Sequence, residues 1–413
     1  MRTHAKVRTM NILFLSELLF PHGGGAELAT YEYAKLLSEN EVNVIVVTNK
    51  FSSEPSFSKN QKLVIYRLPL LKGSSTAKYQ IMFNFNVVFS NFFRKLFAWA
   101  DVVYIPRCWF SAIPVAKAYG KPVLVHLHDY ILICPLASMY DLSRAAVCQS
   151  GRCSQKCIYT FERNFGRSLK SSLASTLLNS TLGLQLRRLI TLSDGIVCVS
   201  NAQRNIIISK IPTLRNKIRV IYNPLPGCCF TKIQGDDYGF LGGSNPIKGF
   251  NVLHRALTEI TSNIHVKLHA AKFDPPLKEP ESLDHAEIFF YSKLNAVLLN
   301  DLFRKIRAVL FPSISHEPSP YSVVETILKG RLLIASDVDG LRELAGCCKG
   351  VFFFELGNST KLAEEIEHVN GLSREVVNDF AAQSRETFLK RFSNEATLNS
   401  FVGICNELVE TRI

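Results

Sequence analysis

Short apolar runs alternate with amphipathic stretches along most of the chain. Residues 11–16 (NILFLS) form an apolar run closed by a turn, which fits a buried parallel strand, and apolar positions recur at helical spacing over residues 26–37. Residues 42–48 (VNVIVVT) are the next strand, so strand, glycine-rich turn, helix and strand make a βαβ unit. Further strands are predicted at 63–67, 102–105, 123–128, 196–200 and 218–222. The stretch 223–232 (NPLPGCCFTK) then breaks the periodicity with two prolines and a glycine. Beyond it, strands at 237–241, 266–270, 286–291, 308–312 and 332–336 alternate with helical segments, and 373–391 and 394–409 read as two closing helices. The predicted organisation is an α/β domain of doubly wound, Rossmann-like type over residues 1–225 and a second over 226–390. A C-terminal helix over 391–413 is expected to cross back to the first domain.

Composition changes this picture in one respect. With 413 residues and 47% hydrophobic content the chain can bury full cores, but its formal charge of +13 is unevenly placed. Residues 1–225 carry 28 Lys/Arg and 11 Asp/Glu, a balance of +17, which leaves −4 for the remainder. The first half is therefore expected to meet something anionic, either phosphate-bearing lipid head groups or nucleic acid. No run of 18 or more uncharged apolar residues occurs, and the N-terminus lacks a signal peptide's apolar stretch. These features predict a cytosolic protein, peripheral to the cytosolic face of a membrane. Eleven cysteines, an odd number scattered over a long chain, argue against a secreted disulfide scaffold.

Four segments carry candidate chemistry. HGGGAE (22–27) lies between the first strand and first helix, where glycines let backbone N–H groups approach a ligand at a helix N-terminus. Phosphate suits such a turn, although the spacing is neither the dinucleotide fingerprint nor a P-loop, and a tight structural turn is the plain alternative. HLHDY (126–130) ends a strand, and ligands of open α/β sheets gather at the carboxyl ends of strands, which places His128 and Asp129 well. FLGGSNPIKGF (240–250) sets Lys248 just after a strand and a Gly-Gly pair, where a cation could face a leaving diphosphate. EPSPYSVVE (317–325) starts a helix near Pro320, with Glu317 in the preceding loop and Glu325 about a turn and a half inside. Carboxylates accept hydrogen bonds from vicinal hydroxyls, and a helix N-terminus between them offers N–H groups to a diphosphate.

In this order and at these separations the four segments resemble retaining glycosyltransferases of family 4, which have the GT-B fold of two Rossmann-like domains facing across a cleft. The likeness extends to SDGIVCVS (193–200), KIRVIYNP (217–224) and IASDVDGLRE (334–343). It implies a hexosyltransferase that moves a sugar from a nucleoside-diphosphate sugar, UDP- or GDP-linked, to a glycan or lipid-linked acceptor, with no cofactor required for catalysis. By that resemblance Gly24 and Gly25 face the donor phosphates and His128 approaches the transferred sugar. Lys248 neutralises the departing diphosphate, Glu317 contacts the sugar and Glu325 binds the ribose hydroxyls. Backbone groups of Pro320, Tyr321, Ser322 and Val323 cradle the diphosphate, and the loop after Tyr291 reads the base. The family retains anomeric configuration by same-face attack, a donor phosphate oxygen helping to deprotonate the acceptor. Two departures stand out: Gly243 occupies the position, five before the Lys, where the family commonly has Arg, and Pro320 replaces a frequent glycine.

Other features leave alternatives open. DVD (337–339) looks like a metal-binding motif of another glycosyltransferase fold, but here follows a strand of the second domain in a loop the family shares, and no metal is expected there. Cys134, Cys148, Cys153 and Cys157 form a cluster for which structural zinc, a labile disulfide and plain thiols are all consistent. Residues 79–99 mix aromatics with Arg94 and Lys95, as an interfacial segment or an aromatic core helix would, and 156–188 add six basic residues. An anionic membrane surface is thus an expected partner. A nucleotide-sugar epimerase or phosphorylase, and a basic nucleic-acid- or lipid-binding protein with a degenerate donor site, are the competing readings. No recognisable nucleic-acid module supports the latter.

Overall fold

The computed structural model describes residues 10–70, 89–148 and 154–411. The chain divides into two compact units, one made of Met1–Ala137, Asp141–Leu225 and Ser393–Ile413, the other of Ser138–Tyr140 and Pro226–Phe392.

Up to residue 225 the strands are β1 (Asn11–Leu15), β2 (Asn43–Asn49), β3 (Phe57–Asn60), β4 (Leu63–Leu68), β5 (Val102–Ile105), β6 (Val123–Leu127), a small hairpin of β7 (Tyr140–Asp141) and β8 (Ala146–Val147), then β9 (Gly195–Cys198) and β10 (Ile218–Val220). The main sheet runs β10-β9-β6-β5-β1-β2-β4-β3 and is parallel except for β3. From β1 the chain first steps outward through β2 to β4, then returns to β5 and steps the other way. That reversal makes the β1/β5 border a switch point, and loops at its carboxyl side form the natural ligand crevice of such a sheet. Ile12, Phe14, Val44, Val46, Tyr104 and Val197 build the core on one face. The C-terminal helix Asn394–Glu410 adds Phe401, packed 5.2 Å from the Tyr33 ring, and Asn394 Oδ1 accepts the Leu225 N–H at 2.6 Å.

The second unit contributes β11 (Asp237–Phe240), β12 (Val266–Ala271), β13 (Glu281–Leu283), β14 (Ala286–Tyr291), β15 (Ile306–Phe311), β16 (Leu332–Ser336) and β17 (Val351–Phe354). Its order is β13-β14-β12-β11-β15-β16-β17, with only β13 antiparallel. The same logic puts the switch point between β11 and β15, so the loops leaving those two strands converge. Tyr238, Phe240, Leu268, Ile288, Leu310 and Ile334 are fully or almost fully buried beneath them. Two mostly parallel Rossmann-like sheets in one chain constitute the GT-B fold.

Several elements were not predicted. β3 and β13 are edge strands with mostly exposed or half-exposed residues, so no alternating apolar pattern marks them. Cys153 and residues 71–88, hence most of the aromatic segment beginning at Tyr79, lie outside the described residues. The described remainder is a helix, Asn91–Trp99, capped by Ser90 and burying Phe93, Leu96 and Phe97, so there the aromatics serve the core. Among the described residues no group of three or more His, Cys, Asp or Glu is arranged to hold a metal ion, and no helix is long and apolar enough to cross a membrane.

Candidate functional site

At the second unit's switch point the loop after β11 and the loop after β15 are joined by backbone. Ile314 N–H donates to the Ile247 carbonyl at 3.0 Å, and Ser313 Oγ lies 3.2 Å from the same oxygen. Two glycines allow the approach. A Cβ on Gly249 would stand 1.7 Å from the Pro312 carbonyl oxygen, and one on Gly340 would stand 1.9 Å from that of Glu317. These are backbone collisions that no rotamer relieves.

The result is an ion pair at the loop junction. Lys248 Nζ lies 2.6 Å from Glu317 Oε1, which also accepts from Ser313 Oγ at 2.7 Å. Glu317 is buried, and Lys248 ends a short turn, Pro246–Lys248, whose first N–H is capped by Asn245. Two residues singled out in sequence, 69 positions apart, are thereby brought together.

Glu325 sits in the helix Tyr321–Leu328, half-buried, and its carboxylate forms no hydrogen bond or ion pair among the described residues. Burial raises its pKa above the ordinary 4.5, opposed by the charges of Lys329 and Lys272. Pro320 is the N-cap, with φ −77°, and Tyr321 opens the helix. Pro320 has no N–H to offer, and the Val323 N–H donates to the Pro320 carbonyl at 3.1 Å, so the forward donors of this terminus are those of Tyr321 and Ser322. In the DVD stretch, Asp337 Oδ2 pairs with the Arg342 guanidinium at 2.6 Å.

Lys272, which sequence reasoning missed, lies at the end of β12. It holds a left-handed φ of +69°, uncommon for a residue with a long side chain. Its carbonyl oxygen and Cβ close on Gly243, which is itself at φ +71°: a Cβ there would come within 2.8 Å of the first and 2.9 Å of the second. Lys272 reaches solvent but is enclosed enough that desolvation lowers its pKa; the charge of Glu325 opposes that shift, and those of Lys248 and Lys293 add to it. The loop after Tyr291 runs alongside, the Phe273 N–H donating to the Tyr291 carbonyl at 2.9 Å. A lysine after two alanines gave no sequence signal for this placement.

The first unit's switch point gathers a separate cluster. Arg107, two residues past β5, is held by Glu17 Oε1 at 3.0 Å and Glu27 Oε1 at 3.1 Å, both carboxylates being buried. Glu27 Oε2 in turn accepts the Gly24 N–H at 2.7 Å, closing the glycine turn from within. Gly23 holds a left-handed φ of +87°, and a Cβ there would come within 2.5 Å of the Glu27 side chain, so both backbone and space call for glycine. The helix Gly25–Glu39 starts at once, so first-turn N–H groups from Gly25 onward face out of the turn. His128, just past β6, stacks on His126 with ring centroids 4.3 Å apart, and His126 Nδ1 is bonded to Tyr104 Oη at 2.7 Å. Burial, and then the Arg107 charge, push the His128 pKa down to about 4, and its Nε2 has no hydrogen-bond partner among the described residues. The imidazole is therefore neutral at pH 7.

Fold and sites together define a two-domain GT-B glycosyltransferase. The description Glycosyltransferase Family 4 fits residues 23–226, and Glycosyl transferases group 1 fits residues 235–370. The chain belongs to glycosyltransferase family 4, whose members are retaining enzymes that use a nucleotide-sugar donor. Solved structures agree on the fold. HepE from Anabaena, in complex with UDP and glucose, superposes with a TM-score of 0.62 at 15% identity, covering 96% of this chain and 99% of that one. A glycosyltransferase from Rickettsia africae gives 0.61 at 15% identity over 97% and 99%, and sucrose-phosphate synthase from Thermosynechococcus elongatus 0.63 at 12% over 97% and 100%. No curated protein sequence matches the chain significantly.

Proposed function

We propose that this enzyme transfers a hexose from a UDP-linked donor, with retention of configuration, to a glycan or lipid-linked acceptor presented at a membrane face. The observation that carries the donor half is the second unit's set of Lys248 paired with Glu317, the helix terminus at Tyr321 and the unpartnered carboxylate of Glu325. An ion pair and a half-buried carboxylate on either side of a helix N-terminus fit a sugar, a diphosphate and a ribose in that sequence. HepE has been crystallised with UDP-glucose, and that precedent favours a uridine donor.

In this reading Lys248 answers the charge that develops on the leaving diphosphate, and Glu317 holds the ammonium in place while meeting sugar hydroxyls. Glu325 accepts from the ribose hydroxyls. Lys272 supplies the second cation that the family places at the Gly243 position. His128, neutral, offers a hydrogen bond to the sugar rather than a proton. The helix start at Tyr321 and Ser322 turns its first N–H groups toward the donor phosphates.

The deciding experiment is a screen of nucleoside-diphosphate sugars with mass detection of product, run with and without membrane extract. UDP-hexose consumption giving an α-linked product from an α-linked donor is the expected result. Glu325→Gln should raise the donor KM roughly tenfold, the scale of one lost charge-assisted bond. Wild-type kinetics in both Lys248→Ala and Glu325→Ala would remove these residues from the site.

A further inference from the structure

The helix Leu169–Ser180 is mounted inside out. Leu169, Leu173 and Leu177 recur every fourth residue and so share one face, and their exposures are 55%, 55% and 63%. The opposite face, carrying Ser172, Ser175, Thr176 and Asn179, is buried. That orientation is fixed by hydrogen bonds: Ser175 Oγ donates to buried Glu162 Oε1 at 2.7 Å, and Arg187 Nη2 donates to the Asn179 carbonyl at 3.2 Å. Flipping the leucines inward would strip these polar groups of their partners. Phe165 and Leu182, at the two ends of the helix, are exposed as well.

The charge around this face has one sign. Across residues 154–192 the sole acidic residue is Glu162, which is buried and paired with Arg167 at 2.9 Å. Lys156, Arg163, Lys170 and Arg188 are exposed. An exposed leucine ridge in a segment whose exposed charges are all cationic suits an apolar phase whose boundary is anionic. A protein partner would meet the ridge equally well, but the uniformly positive rim favours a lipid surface.

We infer that the leucine face of Leu169–Ser180, with its rim of Lys156, Arg163, Lys170 and Arg188, is the surface by which the enzyme lies on an anionic bilayer. The inference names the contact surface for the membrane-sited acceptor of the preceding section. It does not depend on the donor chemistry, because it can be tested without any sugar nucleotide.

The full-length protein is sedimented with vesicles of phosphatidylcholine containing roughly one-third phosphatidylglycerol. The wild type should pellet with these vesicles and less with pure phosphatidylcholine, and high salt should weaken it. The triple variant Leu169→Ser, Leu173→Ser, Leu177→Ser should lose binding at least about tenfold. Its thermal unfolding and its donor hydrolysis in detergent-free buffer should stay unchanged, since the altered side chains already face solvent. Equal vesicle binding by the triple variant overturns the inference. So does wild-type protein that ignores vesicles yet forms a concentration-dependent dimer which the triple variant abolishes, an outcome that would assign the face to a second copy of the chain. Loss of vesicle binding together with failure of the donor screen would leave the surface standing and sink the enzymatic reading alone.

Discussion

Gly243→Arg, which restores the residue the family commonly uses, should damage this enzyme. Residue 243 has φ +71°, and a non-glycine residue in the left-handed region costs about 1–2 kcal/mol. The new Cβ would also sit 2.8 Å from the Lys272 carbonyl oxygen and 2.9 Å from its Cβ, atoms fixed by the end of β12 rather than by a flexible tip. Relieving that contact moves Lys272, and the combined cost is about 2–4 kcal/mol, in the range of other strained-backbone substitutions. Thermal unfolding should therefore shift down by roughly 4–16 °C for a unit of this size. Calorimetric titration with UDP should show weaker binding, because the cation that Gly243 makes room for has been displaced. Lys272→Ala should leave the unfolding temperature near wild type and weaken UDP by about 10- to 100-fold, the worth of a charge-assisted contact to phosphate. The exchange Gly243→Arg with Lys272→Gly should recover part of both losses. If Gly243→Arg alone binds UDP more tightly at unchanged stability, Lys272 is not the compensating cation.

Donor affinity should fall as pH drops through the raised pKa of Glu325: the ionised carboxylate accepts ribose hydroxyls, so binding is strongest above that pKa and is lost below it, in a window lying above 4.5. Titrating UDP against pH should show this slope in the wild type and a flat, weaker profile in Glu325→Gln. Gly249→Ala puts a methyl 1.7 Å from the Pro312 carbonyl oxygen at a left-handed residue; it should cost about 3 kcal/mol or more, read by denaturant unfolding. Lys248→Met should lower kcat about 100-fold or more with a smaller effect on UDP binding, and equal losses in both would place Lys248 in ground-state binding instead.

Parallel strands of a sheet covered on both faces read as continuous apolar runs, so the central strands of both units were legible from sequence. The edge strands β3 and β13 were not, because half their residues face water. That Lys248 and Glu317 serve one site was readable only through the resemblance to a family, and their direct ion pair was not foreseen; spacing alone says nothing about residues 69 apart. Lys272 was invisible because its importance rests on a backbone conformation, left-handed at the end of β12, and on the absence of a side chain at Gly243. The leucine ridge marks a different limit. Periodicity tells which residues share a helix face, and the default assumption turns an apolar face inward. Here Glu162 and Arg187 bind the polar face and turn the leucines out.

The two lysines of the second unit divide their work by their partners. Lys248 is already compensated at rest, its ammonium 2.6 Å from a buried carboxylate, so an incoming diphosphate must compete with Glu317 for it. Its attraction grows only as charge builds on the leaving group, which is when stabilisation accelerates the reaction. Lys272 forms no ion pair among the described residues; the charges of Lys248 and Lys293 act on it, and that of Glu325 opposes them. In the proposed reading it supplies positive potential before any bond breaks and sets how firmly donor and product are held. On the same reading Lys272 stands in for the cation that the family carries at residue 243, which makes glycine there compatible with donor binding.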